Sequence, residues 1–402
     1  MVRKISMLGL IFALFGIFNV GLASANTDTS QEKTYLVKFK SSANVNSELK
    51  EIKMSGGKVE AKFKEIKNTA AVKLNDSELS DLKDDSAVQL IEENKIFTVD
   101  GTVSNPPDWG QDRIDQRNLP LDSSYSYPLD GTGVTIYIAD TGIRSDHIDF
   151  TGRIVEGFDG IEDGNGIEDC HGHGTHVAGS AAGTRTGVAN NAMISPVRVL
   201  GCDGYGSTLG IMHAVDWMVE DHVSGRPAVA NFSLGGGASS FFDSLLQDLV
   251  DDGITVVTSA GNDDTNACSQ SPARRPSAIT VGSTDRYDDR SYFSNWGPCV
   301  DVFAPGSSIV SSYYSSSTAL AIMSGTSMAS PHTAGVAATI LQSDPGMSPA
   351  QVEARIISRA TLNVLSDVKA GSPNRLLYVP QTAEEPVSRA GISGGITTDA
   401  FN

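Results

Sequence analysis

Three of the seven histidines in this chain fall within six residues, His171-Gly172-His173-Gly174-Thr175-His176. Histidine near neutral pH serves as a base, an acid or a metal ligand. The spacing of His171, His173 and His176 can hold zinc, which would activate a water for hydrolysis. One class of zinc hydrolases has an acid where this chain has Thr175. Alternatively, one of the three acts as base for a hydroxyl nucleophile, which requires a serine and an acid that orients the imidazole. Both residue types stand at suggestive places. Asp140 ends the apolar run Val134–Ala139, and Ser327 sits in Gly325-Thr326-Ser327-Met328-Ala329-Ser330-Pro331-His332, just before an apolar helical pattern. A third candidate segment, Ser259-Ala260-Gly261-Asn262, closes another apolar strand. Taken singly, each has a plain structural reading: an acid after a strand is a turn or cap residue, and a serine before a helix is an N-cap. Their joint presence in the order Asp, His, Ser favours nucleophilic chemistry.

These residues must be carried to one place. From Gly131 onward, apolar strand candidates alternate with helical patterns. The strands are Val134–Ala139, Ala192–Val197, Ala228–Phe232, Thr255–Ser259 and Ile279–Val281. The helices between them include Ser207–Val219 and Ser240–Val250, and the last starts by Thr333 and runs to Leu341. Continuous apolar strands of this kind are buried on both faces, so the pattern predicts an α/β domain with a parallel sheet and helices on both faces. Chemistry in such sheets gathers at the carboxyl ends of the strands, where Asp140 and Asn262 fall. Pro331 is expected to be tolerated as a residue of the first helical turns.

The stretches Ile138-Ala139-Asp140-Thr141-Gly142, His173-Gly174-Thr175-His176-Val177-Ala178-Gly179, Ser233-Leu234-Gly235-Gly236-Gly237 and Gly325-Thr326-Ser327-Met328-Ala329 resemble the motifs of subtilases. Over residues 108–380 the chain is similar to the proteinase K family, and most similar to its aqualysin-like, calcium-binding secreted branch. The order Asp, His, Ser is the subtilisin order. The resemblance implies a serine endopeptidase working through an acyl-enzyme, with Ser327 as nucleophile, His173 as base, Asp140 as its orienting acid and Asn262 as side-chain donor to the oxyanion. It implies that an extended protein or peptide substrate lies between Gly204-Tyr205-Gly206 and Ser233-Leu234-Gly235. Ala260 and Gly261, with Asn262, would line a roomy pocket for an apolar or aromatic side chain. An inactive peptide-binding relative is disfavoured, because every one of these positions is filled.

The same resemblance implies the disulfides Cys170–Cys202 and Cys268–Cys299, each contributing roughly 3–4 kcal/mol through the loop it closes. It also implies structural calcium. Calcium takes six to eight oxygens. Asp112, Asp115, Gln116 and Asp122, with Ser124, match one site, and the carbonyls of Pro276 and Ala278 with Asp301 match a second. Asp159, beside Glu162 and Asp163, marks a third.

Charge and composition bound the remaining possibilities. The 402 residues carry 30 Lys+Arg and 48 Asp+Glu, a net −18, which argues against nucleic acid as a partner. Residues 1–103 hold 14 basic and 14 acidic side chains, so the whole excess lies downstream. Arg3 and Lys4 followed by the apolar run Met7–Leu22 and Ala23-Ser24-Ala25 form a secretory leader, residues 1–25. Export to an oxidising compartment fits an even number of cysteines. Residues 26–103 are expected to hold a small α+β domain, with strands at 34–39, 70–74 and 89–95 and a helix at 77–83. The family resemblance makes it an inhibitor and intramolecular chaperone. Residues 99–107, with Gly101, Ser104, Asn105, Pro106 and Pro107, are expected to be an exposed linker that Ser327 cuts. The catalytic domain then spans 104–380, and 381–402 form a tail without a core pattern. The processed protein is expected to be a monomer with no membrane anchor.

Overall fold

The computed structural model describes residues 32–63, 67–93 and 101–381. The leader, residues 1–25, and the tail from 382 lie outside them. Among the described residues no helix is long and apolar enough to cross a membrane. The chain divides into two compact units, one ending at Phe97 and the other starting at Thr98.

The first unit is α+β. Strands β1 (Lys33–Phe39), β2 (Lys58–Lys62), β3 (Thr69–Leu74) and β4 (Val88–Glu93) form one antiparallel sheet in the order β2-β3-β1-β4. Helices α1 (Val45–Met54) and α2 (Asp76–Lys83) pack Leu49, Ile52 and Leu82 with Val37, Phe39, Val72 and Leu74. Alternation in β1 puts Val37 and Phe39 inside while Leu36 and Lys38 face out, as a one-sided sheet requires. Asn75 starts α2 with a reciprocal capping box to Glu78. β2 carries only a weak apolar signal, and the sequence pattern missed it.

The second unit opens with β5 (Gly101–Ser104), α3 (Trp109–Ile114) and β6 (Ser124–Tyr127). β5 pairs antiparallel with β6, so 101–104 is a strand and not the open linker expected there. Val103 packs against the core, which anchors the strand.

The main sheet has nine strands in the order β18-β19-β15-β14-β12-β10-β7-β9-β8. They are β7 (Thr135–Asp140), β8 (Phe158–Asp159), β9 (Met193–Arg198), β10 (Ala228–Phe232), β12 (Thr255–Ser259), β14 (Ile279–Thr284), β15 (Val302–Pro305), β18 (Thr361–Leu362) and β19 (Arg375–Leu376). Every pairing is parallel except β18 with β19. Short ribbons β11 (Gly236–Gly237) with β13 (Gln270–Ser271) and β16 (Ile309–Ser312) with β17 (Leu320–Met323) flank it.

Each parallel strand buries both faces. Ile136 and Ile138 of β7 join the core under α4 (His173–Ala182), α7 (Thr326–Ser343) and α8 (Pro349–Arg359). Tyr137 and Ala139 join the opposite core under α5 (Thr208–Asp221) and α6 (Ser240–Asp252). The strand order runs outward from β7 in both directions, so β7 marks the topological switch where α/β sheets place their sites. Asp140 is its last residue.

Helix α7 begins at Thr326, so Ser327 lies at the helix start and Pro331 within the helix, as expected. Pro331 is the sixth helical residue, beyond the donors that lack partners in any helix. Its missing N–H deprives the Ser327 carbonyl of its helical partner. The Ser233 hydroxyl replaces that donor at 2.9 Å, which is why the helix persists.

Candidate active site

Asp140 is fully buried, and its Oδ1 accepts from His173 Nδ1 at 2.7 Å and from the Thr141 N–H at 2.8 Å. The carboxylate therefore holds the proton of His173 on Nδ1 and leaves the Nε2 lone pair free. Burial alone would lower the pKa of His173. The charge and hydrogen bond of Asp140, helped by Asp169, outweigh it and raise the pKa above the usual histidine value. The other oxygen of Asp140, Oδ2, is buried with no hydrogen-bond partner.

His173 is the first residue of α4, and the turn before it is built for close approach. Gly172 has φ 104°, and a Cβ there would lie 2.4 Å from the Tyr313 ring. A Cβ on Gly174 would lie 2.2 Å from the Gly142 carbonyl, so α4 starts directly against the end of β7. Asp169 fixes this turn, and the sequence pattern gave no sign of it. Its Oδ1 accepts from the N–H groups of His171 and Gly172 and from Thr141 Oγ1, while its Oδ2 accepts from the Thr175 N–H and hydroxyl. The Cys170–Cys202 disulfide is formed beside it, as is Cys268–Cys299.

Ser327 is the second residue of α7. Its hydroxyl donates to the Ser233 carbonyl at 3.1 Å, and the Ser233 hydroxyl donates back to the Ser327 carbonyl. Behind this pair, Asn231 Nδ2 donates to Ser233 Oγ at 2.9 Å and Ser330 Oγ donates to Asn231 Oδ1 at 2.7 Å. Asn231 and Ser330 are fully buried. The chain of bonds locks the start of α7 to the end of β10, and a rotation of one torsion turns the Ser327 hydroxyl away from Ser233. Asn262 is fixed in the same way. Its Oδ1 accepts from Thr326 N–H at 2.8 Å and from Thr326 Oγ1 at 2.9 Å, so its Nδ2 donors are left for another partner.

His173 and Ser233 line a cleft of 590 Å³, whose walls are Gly204-Tyr205-Gly206 on one side and Leu234-Gly235 with Gly236 on the other. His171 lines it too. Ala260, Gly261, Asn262 and Ser327 are not among its lining residues. Ala260 is fully buried, and both it and Gly261 have their N–H and carbonyl groups committed: Ala260 to Val281 and Asn295, Gly261 to Thr326 and Asn295. The three histidines of the motif do not converge. His176 is buried, with Nε2 against the Ile309 carbonyl, and burial pushes its pKa down to about 4. Among the described residues no three histidines gather their ligand atoms; the only such group is Asp163 with Cys170 and Cys202, and both cysteines are in a disulfide.

The acids proposed for calcium fall into two kinds. Asp112, Asp115 and Asp122 lie close enough to repel one another, and none of the ion pairs among the described residues includes them. Asp112 accepts from the N–H groups of Asp122 and Ser123, and Asp122 from the N–H and hydroxyl of Ser124. Asp115 Oδ2 accepts from the Ser126 N–H, while Oδ1 is buried and unpartnered. Burial, with repulsion from Asp122 and Asp112, pushes Asp115 up to about 7. Gln116 lies beside them, its Nε2 donating to the carbonyls of Asn118 and Pro120. Asp301 is pushed up to about 6 by burial and accepts from the Thr280 N–H, next to Ala278. Asp159 differs. The buried guanidinium of Arg198 faces it at 3.4 Å and grips Asp163 with two bonds of 2.7 Å. A fixed cation thus faces the third expected calcium site, at Asp159.

Comparison with known proteins places this geometry. The subtilase family model matches residues 131–382. The extracellular serine proteinase of Thermus sp. (strain Rt41A) is 47% identical over 332 residues, 83% of this chain and 80% of that protein. Alkaline serine exoprotease A of Vibrio alginolyticus is 49% identical over 325 residues, 80% of this chain and 60% of that protein. Among solved structures, a cold adapted subtilisin-like serine proteinase aligns with a TM-score of 0.66 and 49% identity, covering 70% of this chain and 100% of its own.

Proposed function

The chain belongs to the subtilase family and is a secreted serine endopeptidase, and from that premise we propose that Asp140, His173 and Ser327 are its catalytic residues and Asn262 its oxyanion donor. The observation that carries the assignment is the tautomer that Asp140 imposes on His173 at 2.7 Å, with Nε2 left free. The Ser327 hydroxyl turns from the Ser233 carbonyl to Nε2, gives up its proton and attacks the scissile carbonyl. Asp140 stabilises the imidazolium that results. The oxyanion is met by Asn262 Nδ2, which is already oriented by Thr326, and by the N-terminal N–H groups of α7. His173 then passes its proton to the leaving amine, and water repeats the cycle on the acyl-enzyme.

Substrate binds as an extended strand between Gly204-Tyr205-Gly206 and Ser233-Leu234-Gly235. Glycines there let backbone approach backbone, so affinity comes mainly from main-chain bonds and sequence demands are loose. An apolar or aromatic side chain is preferred before the scissile bond. The enzyme is assigned to the aqualysin-like branch of the proteinase K family, a reading supported by its two disulfides and its near-half identity to the Thermus and Vibrio relatives.

Calcium would be held by Asp112, Asp115, Gln116, Asp122 and Ser124, and a second ion by Asp301 with the carbonyls of Pro276 and Ala278. The unpartnered Asp115 Oδ1 fits an ion at the first site. The ion would supply stability and no chemistry, because it binds the folded chain alone. Residues 26–103 act as inhibitor and chaperone and are removed by Ser327, after the leader is cleaved near Ala25. The cut falls at the N-terminal edge of 99–107, so that the mature chain keeps the strand Gly101–Ser104, a reading supported by its pairing with Ser124–Tyr127.

A serine-directed phosphonate followed by peptide mass mapping tests the assignment. Ser327 should carry the label, and Ser327→Ala should accumulate as unprocessed precursor while the wild type yields a new N-terminus near residue 100. A label elsewhere, or normal processing of Ser327→Ala, would overturn it.

A further inference from the structure

His171 remains unexplained by this chemistry. It stands two residues before the proposed base, and its ring meets that of His173 edge-on, with centroids 6.3 Å apart. Both rings line the substrate cleft. The Nδ1 of His171 is buried and has no hydrogen-bond partner, a state that costs free energy and calls for an explanation. On the other side of the ring, a Cβ added to Gly204 would sit 3.3 Å from Nε2. The backbone under the ring is held, because the N–H groups of His171 and Gly172 both donate to Asp169.

We infer that His171 and His173 together form an inhibitory binding site for a borderline metal ion such as Zn²⁺, with His173 giving Nε2. The inference rests on the reading of His173 as the catalytic base. Zinc favours imidazole nitrogen at about 2.0–2.1 Å. Two imidazoles on one tetrahedral ion have centroids about 5 Å apart at such bond lengths. Closing the present 6.3 Å separation requires the His171 ring to move about 1 Å toward His173. Asp140 on Nδ1 of His173 then completes a carboxylate–histidine–metal arrangement, which raises the basicity of the ligating nitrogen. The other positions on the ion stay open to water, so binding is reversible. An ion on Nε2 occupies the lone pair that must take the Ser327 proton, and hydrolysis stops while it is bound. His176, turned to the Ile309 carbonyl, takes no part, so this site is distinct from a three-histidine zinc hydrolase.

The processed enzyme, in a non-chelating buffer with calcium present, is assayed for peptide hydrolysis against rising Zn²⁺. Zinc bound per chain is measured in parallel by equilibrium dialysis. His171→Asn and His171→Gln are compared, each with its own zinc-free rate. Zinc should inhibit the wild type, with one ion bound per chain in step with the loss of rate, and dilution should restore activity. Both variants should need about tenfold more zinc or higher for the same inhibition, and Mg²⁺ should not inhibit, since it prefers oxygen. Equal zinc sensitivity in wild type and both variants, or no zinc bound by the wild type in dialysis at millimolar zinc, would overturn the site. Failure of the catalytic assignment looks different: zinc would still bind through His171 in dialysis, but hydrolysis would continue in the loaded enzyme.

Discussion

The reciprocal bonding of Ser233 and Ser327 makes a quantitative prediction. Pro331 removes the N–H that a regular helix would offer to the Ser327 carbonyl, and the Ser233 hydroxyl supplies the bond instead. Ser233→Ala therefore leaves two groups without partners: the Ser327 carbonyl and Nδ2 of Asn231, which donates to the same hydroxyl. A buried polar group left unpaired costs about 1–3 kcal/mol, so the variant should lose about 2–6 kcal/mol. In a Pro331→Ala background residue 331 regains its N–H, the carbonyl keeps a partner, and only the Asn231 donor is orphaned. The cost of Ser233→Ala should then fall by about 1–2 kcal/mol, a coupling of the size seen between residues in one network. Secreted proteases often unfold irreversibly, so the cycle is best read from unfolding rates at one temperature on phosphonate-blocked protein. If these bonds are broken in the unfolding transition state, the coupling corresponds to about 5- to 30-fold in rate. The same acceleration by Ser233→Ala in both backgrounds would refute the reasoning, because it would mean that Pro331 and Ser233 act independently.

Three further outcomes follow from the site. Asn262→Ala should fold normally, bind peptides with little change in KM and lose turnover by about 10²–10³, the loss found when the corresponding donor is removed from subtilisin; wild-type turnover in a folded Asn262→Ala enzyme would remove Asn262 from the oxyanion site. The raised pKa of His173 sets the acid limb of kcat/KM. The base works only when neutral, so the rate should rise with pH through a single inflection above about 6.5, the ordinary histidine value. An inflection below that value would contradict the role given to Asp140. Calcium at a hundred times its dissociation constant should stabilise the enzyme by about 2.7 kcal/mol. Asp115→Asn should erase most of the calcium-dependent rise in melting temperature, and a variant with the full rise would place the ion elsewhere.

The parallel sheet was legible because a strand buried on both faces is largely apolar, as β7 is, and as β10 is but for Asn231. Asp140, His173, Ser327 and Asn262 were legible as residue types ending strands or starting helices. What joins them was not. Ser233 and Ser327 are 94 positions apart, Ser330 and Asn231 are 99 apart, and no period in the sequence records such a contact. Asn231 was hidden because it interrupts an otherwise apolar strand, where only its bonds to Ser233 and Ser330 explain a buried amide. Gly101–Ser104 was misread because Gly, Ser and the following prolines signal a loop, while the pairing that makes it a strand comes from residues 124–127. The helix start at Ser327 was legible from its motif, but the Ser233 hydroxyl that bonds the carbonyl freed by Pro331 was not.

Charge shows the same dependence on distant partners, and it separates acids that sequence alone treats alike. After residue 103 the chain has 34 acids and 16 bases, and only one base, Lys369, is a lysine. Several of the arginines are committed to fixed pairs: Arg113 to Asp288, Arg185 to Asp149, Arg198 to Asp163, Arg274 to Asp243 and Arg290 to Asp264 and Asp367. A guanidinium keeps its charge when buried and binds a carboxylate with two parallel bonds, which a lysine cannot do. Where such a pair forms, as at Asp163, the carboxyl is held well below its ordinary range by Arg198 and has no need of another cation. At Asp115 there is no guanidinium, and burial drives the carboxyl the other way. Asp159 and Asp115 look equivalent as acids in a line of residues. The arginine that reaches one and not the other separates them: Asp159 has a fixed cation beside it, and Asp115 is the acid whose charge the proposed calcium ion would balance.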